Sequence, residues 1–202
     1  MVRDMPKVSE EHREAMRRRI LDAALACVGR KGFAAASMAD IVAEAGLSAG
    51  AVYLYYKGKE QLTVDVGRRV LEERLAALEV LGESRPVPPP HEVIPDLMVG
   101  LPKSEFFPGL ALQVWGEAVH NGELAGVARA IIGEVAEHIS RYLAIWLATS
   151  REMDDDDAAA EAARLAPAVV GLVQGYIVQV AFAREDVVER YLDGARELLE
   201  RL

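Results

Sequence analysis

Apolar positions along this chain recur every three or four residues, the spacing of one helix face, and polar and glycine positions cut the pattern into segments. Met16, Ile20, Ala24 and Val28 fall four apart, with Leu21 and Leu25 beside them, until Gly32 stops the stripe. Ser9 precedes it as a helix cap, and Glu10 and Glu11 occupy the first turn, where carboxylates suit the helix dipole. Ser37 is followed three residues on by Asp40, a capping-box pair that starts a short helix, and Gly46 ends it. Ser48 caps another short helix running to about Tyr55, and Lys59 opens a long one through Leu62, Val66, Val70 and Leu78. The run PVPPP at residues 86–90 cannot continue a helix and reads as a stiff connector. Beyond it the pattern predicts helices over about 91–99, 108–120, 123–148, 155–183 and 186–201, with Pro167 expected to kink or split the fourth of these. No stretch sustains strand alternation and no internal repeat is visible. The expected fold is all-α: an N-terminal three-helix domain with a helix-turn-helix over residues 1–58, and a C-terminal helical bundle over residues 59–202.

Composition adds an asymmetry. The chain has 202 residues, 51% hydrophobic and 27% charged, with a net charge of -9 that argues against a general nucleic-acid binder. Residues 1–62, however, hold ten Lys and Arg against eight Asp and Glu, whereas the rest hold thirteen against twenty-four. A small module able to approach phosphate is joined to a body that repels it. One cysteine, Cys27, excludes a disulfide framework and a four-cysteine zinc site. It falls on the apolar side of the first helix and is expected to be inert core. The segment MVRDMPKVSEEHREAMRRR has no apolar core and does not read as a signal peptide, so a cytoplasmic location is expected. Residues 165–183 are uncharged and long enough to span a bilayer, but they include Pro167, Gln174, Gln179 and two glycines. A helix buried on most sides, in a core or a subunit interface, is the expectation.

Short helix, glycine turn, short helix is the helix-turn-helix arrangement. Ile41, Ala45, Leu47, Val52 and Tyr56 can share a small core with Ile20, Leu25 and Phe33. In such a unit the second helix enters the DNA major groove with its N-terminal residues at the base edges. The stretch SMADIVAEAGLSAGAVYLYYKGKEQL, residues 37–62, resembles the DNA-binding signature of TetR-type transcriptional regulators, and ILDAALACVGRKGF, residues 20–33, is similar to that family's first helix. Ser37, Val42, Leu47 and Tyr56 depart conservatively from a pattern that has Thr, Ala, Val and Phe there. Residues 109–147 look loosely like the BetI-type C-terminal domain of the same family. The resemblance implies that Tyr53 and Tyr55 offer hydroxyls to DNA phosphates, that Lys59 adds its charge there, and that Ser48 caps the recognition helix and touches phosphate. Ser37 belongs to the same set, and Gly50 lets the backbone approach the groove. The base-reading positions are Ala49, Gly50, Ala51 and Leu54. None can make a bidentate hydrogen bond to a base; apolar groups there can contact thymine methyls, and DNA shape can supply further specificity.

A helix-turn-helix needs no further 140 residues to bind DNA, so the acidic body is expected to dimerise and to bind a small molecule. The long helices at 123–148 and 155–183 are the interface candidates, with Val169, Leu172, Val173, Tyr176 and Val180 recurring at helical spacing. The resemblance implies a ligand pocket among the middle helices. That region holds Met98, Phe106, Phe107, Trp115, His120, Tyr142 and Trp146, with His120 the polar candidate and Gln113 and Glu117 lesser ones. An acidic body favours a neutral or cationic apolar ligand. No cofactor or metal is expected. Glu117 and His120 form one Glu-x-x-His, whereas di-iron bundles use two plus two further glutamates, and no Gly-rich phosphate loop or Gly-x-Ser-x-Gly occurs. The expected function is a sequence-specific, homodimeric transcriptional regulator, a repressor released from double-stranded operator DNA by a small apolar ligand, and not an enzyme. The alternatives are a helical-bundle enzyme, or a structural dimer without ligand-controlled DNA binding.

Overall fold

A computed structural model describes residues 10–101 and 107–202, and among these every regular element is helical. Two compact units divide the chain, Met1–Val66 and Gly67–Leu202. The division falls inside a helix, rather than at its start at Lys59.

The first unit contains α1 (Glu10–Lys31), α2 (Met38–Ala45), α3 (Ala49–Tyr55) and the beginning of α4 (Lys59–Glu83). Local chemistry sets the boundaries. Ser37 Oγ accepts from the Asp40 amide while the Asp40 carboxylate accepts from the Ser37 amide, the complete capping box that the sequence predicts. Gly46 closes α2 in the left-handed region at φ 61, where a side chain would be strained. Ser48 Oγ caps α3 by accepting from the Ala51 amide. Ser9, the proposed cap of α1, lies outside the described residues. The core of this unit is Ile20, Leu21, Ala24, Cys27, Phe33, Ile41, Ala45, Val52, Tyr56, Leu62 and Val66, all buried, while Leu25 and Leu47 are half-buried at its margin.

The second unit contains the rest of α4, then α5 (Pro90–Gly100), α6 (Phe107–Ala118), α7 (Gly122–Ser150), α8 (Asp155–Phe182) and α9 (Glu185–Glu200). The boundaries fall within two residues of those predicted. Pro90 begins α5, the position where a missing N–H costs nothing. Asn121 caps α7, and Asp154 caps α8 with Asp155, Asp156 and Asp157 in its first turn, so the acidic run is a helix start. α7 packs along α8, α6 lies against both, and α9 packs on α5 and α8. Between them lies one core of Leu75, Leu78, Ile94, Met98, Ile139, Tyr142, Leu143, Trp146, Leu147, Ala162, Val169 and Tyr176.

Pro167 does not split α8, which runs unbroken from Asp155 to Phe182. Proline cannot donate to the carbonyl four residues back, at Ala163. Both residues are exposed, so water can take that carbonyl and the ring stands away from the core. Pro95 sits inside α5 as well.

Residues 165–183 are not buried on most sides within the chain itself. α8 is long and apolar enough to cross a membrane by length and composition, yet only 28% of its most apolar window is buried. One side of the helix faces its own core; the other presents Pro167, Ala168, Gly171, Val178, Ala181 and Phe182, all exposed.

Candidate nucleic-acid interface

α3 lies beyond the turn at Gly46, and tertiary bonds fix that turn. Arg19, on α1, donates from Nε to the Ala45 carbonyl at 2.8 Å and from Nη2 to the Gly46 carbonyl at 3.2 Å. These are carbonyls at the end of α2 that the helix leaves without partners. Arg30 bridges to Glu44, and Lys31 Nζ to Asp40 Oδ1 at 2.6 Å, so the basic end of α1 is bound to the acidic side of α2. The Lys31 ammonium first, and the Ser37 hydroxyl and amide next, hold the Asp40 carboxyl well below the usual carboxylate range. No sequence pattern marks these contacts, because they join residues nine to twenty-seven apart whose proximity depends on the fold.

Tyr56 is buried, as the helical spacing from Val52 predicts, and its hydroxyl donates to Asp65 Oδ2 at 3.0 Å. Burial, and then that bond, raise its pKa far above the phenol range, so it remains a donor. Cys27 is also core. Burial first and Glu44 second raise its thiol pKa, which keeps it protonated and unreactive.

With Val52 turned inward, α3 presents Ala49, Gly50, Tyr53 and Leu54 to solvent, at positions i, i+1, i+4 and i+5 of one side. Leu54 is 79% exposed and Tyr53 42%. Ala51 and Tyr55 are half-buried on the flank. A Cβ added at Gly50 would meet nothing within 4 Å, and positive φ is found at Gly32 and Gly46 but not here. Neither crowding nor backbone conformation within the chain requires this glycine. Ser48 is exposed, and its capping bond uses the oxygen as acceptor, so the hydroxyl can still donate. Ser37 Oγ instead both accepts from Asp40 and donates to its carboxylate at 2.8 Å, so its hydrogen is engaged. Lys59 has partners within the chain itself. Its Nζ donates to the Phe33 carbonyl and lies over the Phe33 ring, 4.1 Å from the centroid. In this arrangement the ammonium ties the start of α4 to the segment after α1.

The model of the family described as "Bacterial regulatory proteins, tetR family" matches residues 20–66, which span α1 from Ile20, both helices of the helix-turn-helix and the start of α4. Residues 20–66 therefore match the TetR-family DNA-binding domain. Curated relatives carry the same likeness. The chain is 38% identical over 82 residues to the "Uncharacterized HTH-type transcriptional regulator YfiR" of Bacillus subtilis, covering 41% of this chain and 40% of that protein. It is 38% identical over 74 residues to the "HTH-type transcriptional repressor Rv1474c" of Mycobacterium tuberculosis, covering 37% and 39%. It is 36% identical over 69 residues to the "HTH-type transcriptional regulator BetI" of Agrobacterium fabrum, covering 34% and 32%. The match therefore spans about two fifths or less of each relative. The fold extends further. A TetR-family regulator from Cytophaga hutchinsonii superposes with a TM-score of 0.68 at 17% identity, over 97% of this chain and 98% of that one. A SmeT–triclosan complex superposes with a TM-score of 0.63 at 23% identity, over 90% of each.

Beyond residues 20–66, the other candidate residues fall in several different surroundings. Met98, Tyr142 and Trp146 are buried together in the core of the second unit, and the Tyr142 hydroxyl donates to the Pro88 carbonyl at 2.5 Å, anchoring the proline connector. Trp115 is half-buried on α6, and His120 is exposed in the turn after α6, beside an exposed Glu117 and Gln113. Phe106 lies outside the described residues, and Phe107 begins α6. Of the interface candidates, Val169 and Tyr176 are buried in the chain's own core, with Leu172, Val173 and Val180 partly buried against it. The helical spacing found the apolar face of α8 that the chain itself covers; the uncovered apolar face lies on the other side.

Proposed function

We propose that this chain is a transcriptional regulator that binds double-stranded operator DNA as a homodimer, represses by occupying it, and is released by a small apolar molecule bound in the second unit. The observation that carries the DNA-binding part is the outward side of α3. A solvated helix surface that holds Gly50 without any internal need for glycine, beside a leucine exposed by 79%, suits contact with something outside the chain. Within a TetR-type helix-turn-helix that partner is the major groove. Tyr53, Tyr55 and the Ser48 hydroxyl flank this surface as phosphate donors, and Lys59 can join them by exchanging the Phe33 carbonyl for phosphate. A regulator acts where the DNA is, so the proposed location is the cytoplasm.

Two half-sites on one DNA face need two such domains held at fixed separation, about 34–36 Å or a multiple of it. The uncovered apolar side of α8 supports a second copy as the partner. The relative named as a repressor supports the direction of control, and the triclosan complex of a like-folded protein supports a small apolar effector. Half-buried Trp115 on α6 is the side chain best placed to report such a ligand. The test is to immobilise the purified protein and enrich randomised duplexes on it, then measure release of the enriched duplex by apolar compounds. Enrichment of a two-fold-symmetric sequence and its release by a compound that quenches Trp115 are expected. Protein that enriches no sequence overturns the regulator, and compounds that bind without changing DNA affinity overturn the release mechanism.

A further inference from the structure

We infer that this protein reads thymine in its operator through the C5-methyl group, with Leu54 as the specificity-determining residue. The inference rests on the DNA-binding reading above and names what that surface recognises. The outward side of α3 offers Ala49, Gly50, Tyr53 and Leu54. Three of these have no polar side-chain atom, and the one hydroxyl, on Tyr53, cannot make the bidentate contacts by which Arg, Asn or Gln identify a base. The chain's own bonds occupy nearby cations. Lys57 Nζ donates to the Tyr53 carbonyl at 3.1 Å, and Lys59 Nζ to the Phe33 carbonyl.

What remains for direct readout is apolar contact. In the major groove the apolar feature of a base-pair edge is the thymine methyl. Leu54 is suited to it for two reasons. Its side chain is 79% exposed, so burial against a methyl removes apolar surface from water on both partners. Gly50 lies one turn before it on the same side and projects no side chain, so the helix can sink until Leu54 reaches the groove floor. At a C·G pair the same leucine would find a C5–H in place of the methyl, beside an amino group that it cannot bond.

Each methyl contacted contributes about a four-fold gain in affinity, the transfer value of one buried CH₂. Across two half-sites the gain multiplies to about fifteen-fold. Because the leucine recognises the methyl rather than the pyrimidine's polar groups, 5-methylcytosine at the same position restores part of what unmodified cytosine loses.

The experiment uses the full chain and the duplex it enriches from a randomised pool, each about 30 base pairs long, enough for two half-sites about one turn apart. That duplex is remade with deoxyuridine in place of thymidine one position at a time, and affinity is measured for the wild type, Leu54→Ala and Leu54→Met. The expected result is a position in each half-site where uridine weakens wild-type binding about four-fold. Leu54→Ala loses that discrimination and Leu54→Met keeps it, and 5-methylcytosine binds better than cytosine there. Because the leucine side chain is exposed, both variants fold, as circular dichroism checks. Any effect of uridine on DNA shape alone persists in Leu54→Ala, so equal thymine-to-uracil ratios in wild type and Leu54→Ala overturn the inference. So does a wild type indifferent to uridine at every position, while sequence-selective binding leaves the regulator reading standing. Enrichment of no sequence overturns both.

Discussion

Gly50, like Gly109, Gly116, Gly122, Gly133, Gly171 and Gly194, has an identity that its contacts within the described residues do not explain, and it alone of these stands on the outward side of α3. Glycine in a helix is about 0.5–1 kcal/mol less favourable than alanine, and here neither a left-handed backbone nor a close neighbour offsets that cost. Gly46, four residues earlier, shows the contrast: its φ of 61 and Arg19 Nη2 at 3.1 Å from an added Cβ account for it fully. Gly50→Ala is therefore expected to raise the melting temperature slightly and to weaken operator binding, a change of opposite sign in two measurements on one protein. Unchanged operator affinity alongside the higher melting temperature would remove the proposed close approach to the groove. The same scale shows what a sequence leaves open. Lys59 could be placed at a helix start from its position alone, but the direction of its ammonium depends on the Phe33 carbonyl, twenty-six residues away. His120 could be found on a helix end, but its exposure depends on what packs over it.

At the scale of elements, the caps were legible because the bonds that make them are local. Ser37 with Asp40, Gly46, Ser48 and the proline connector each act within four residues of themselves, and each stands where the sequence puts it. The capping box carries a pH dependence. Asp40 is held below its ordinary range in the folded chain, mainly by Lys31 and then Ser37, so its contribution is present above the unfolded carboxylate value of about 4 and is lost as pH falls below it. Asp40→Asn is expected to lower urea resistance at neutral pH and to converge with wild type in acid. Parallel curves at all pH values would show that the ion pair contributes nothing. The contacts between helices were not legible. Gly175 is an example: an added Cβ would lie 2.3 Å from the Tyr191 hydroxyl, which donates to the Leu172 carbonyl at 2.7 Å and so seats α9 on α8. Gly175→Ala is expected to cost about 1–3 kcal/mol by overpacking. In a Tyr191→Phe background, where the clashing oxygen is gone, the cost should be smaller. A double-mutant cycle by chemical denaturation measures the difference, and strict additivity would show that the two residues do not meet.

For the whole molecule, the decisive feature is that α8 carries more apolar surface than its own subunit covers. Period and composition marked the helix as apolar on more than one side, but they could not tell which side the chain buries, because that choice is made by α7 and α9. Val169 and Tyr176 went to the subunit core, while Val178, 37% exposed, and Phe182, 79% exposed, did not. If the protein binds DNA as the proposed homodimer, this apolar stripe is accounted for by a two-fold contact of α8 with its counterpart, in which each residue meets the partner's matching patch. Charges placed there repel one another across the two-fold axis and remain solvated in the monomer. Val178→Glu combined with Phe182→Glu is therefore expected to give a monomer by sedimentation with an unchanged helical signal. Its operator affinity should fall about 100-fold or more, because the second half-site no longer binds as an intramolecular event. Tyr176→Glu is expected to behave differently, losing helical signal and cooperative unfolding, since it buries a charge in the core rather than at a surface. A Val178→Glu, Phe182→Glu protein that stays dimeric would move the interface to another face, and one that is monomeric yet binds operator as tightly as wild type would remove the need for the dimer.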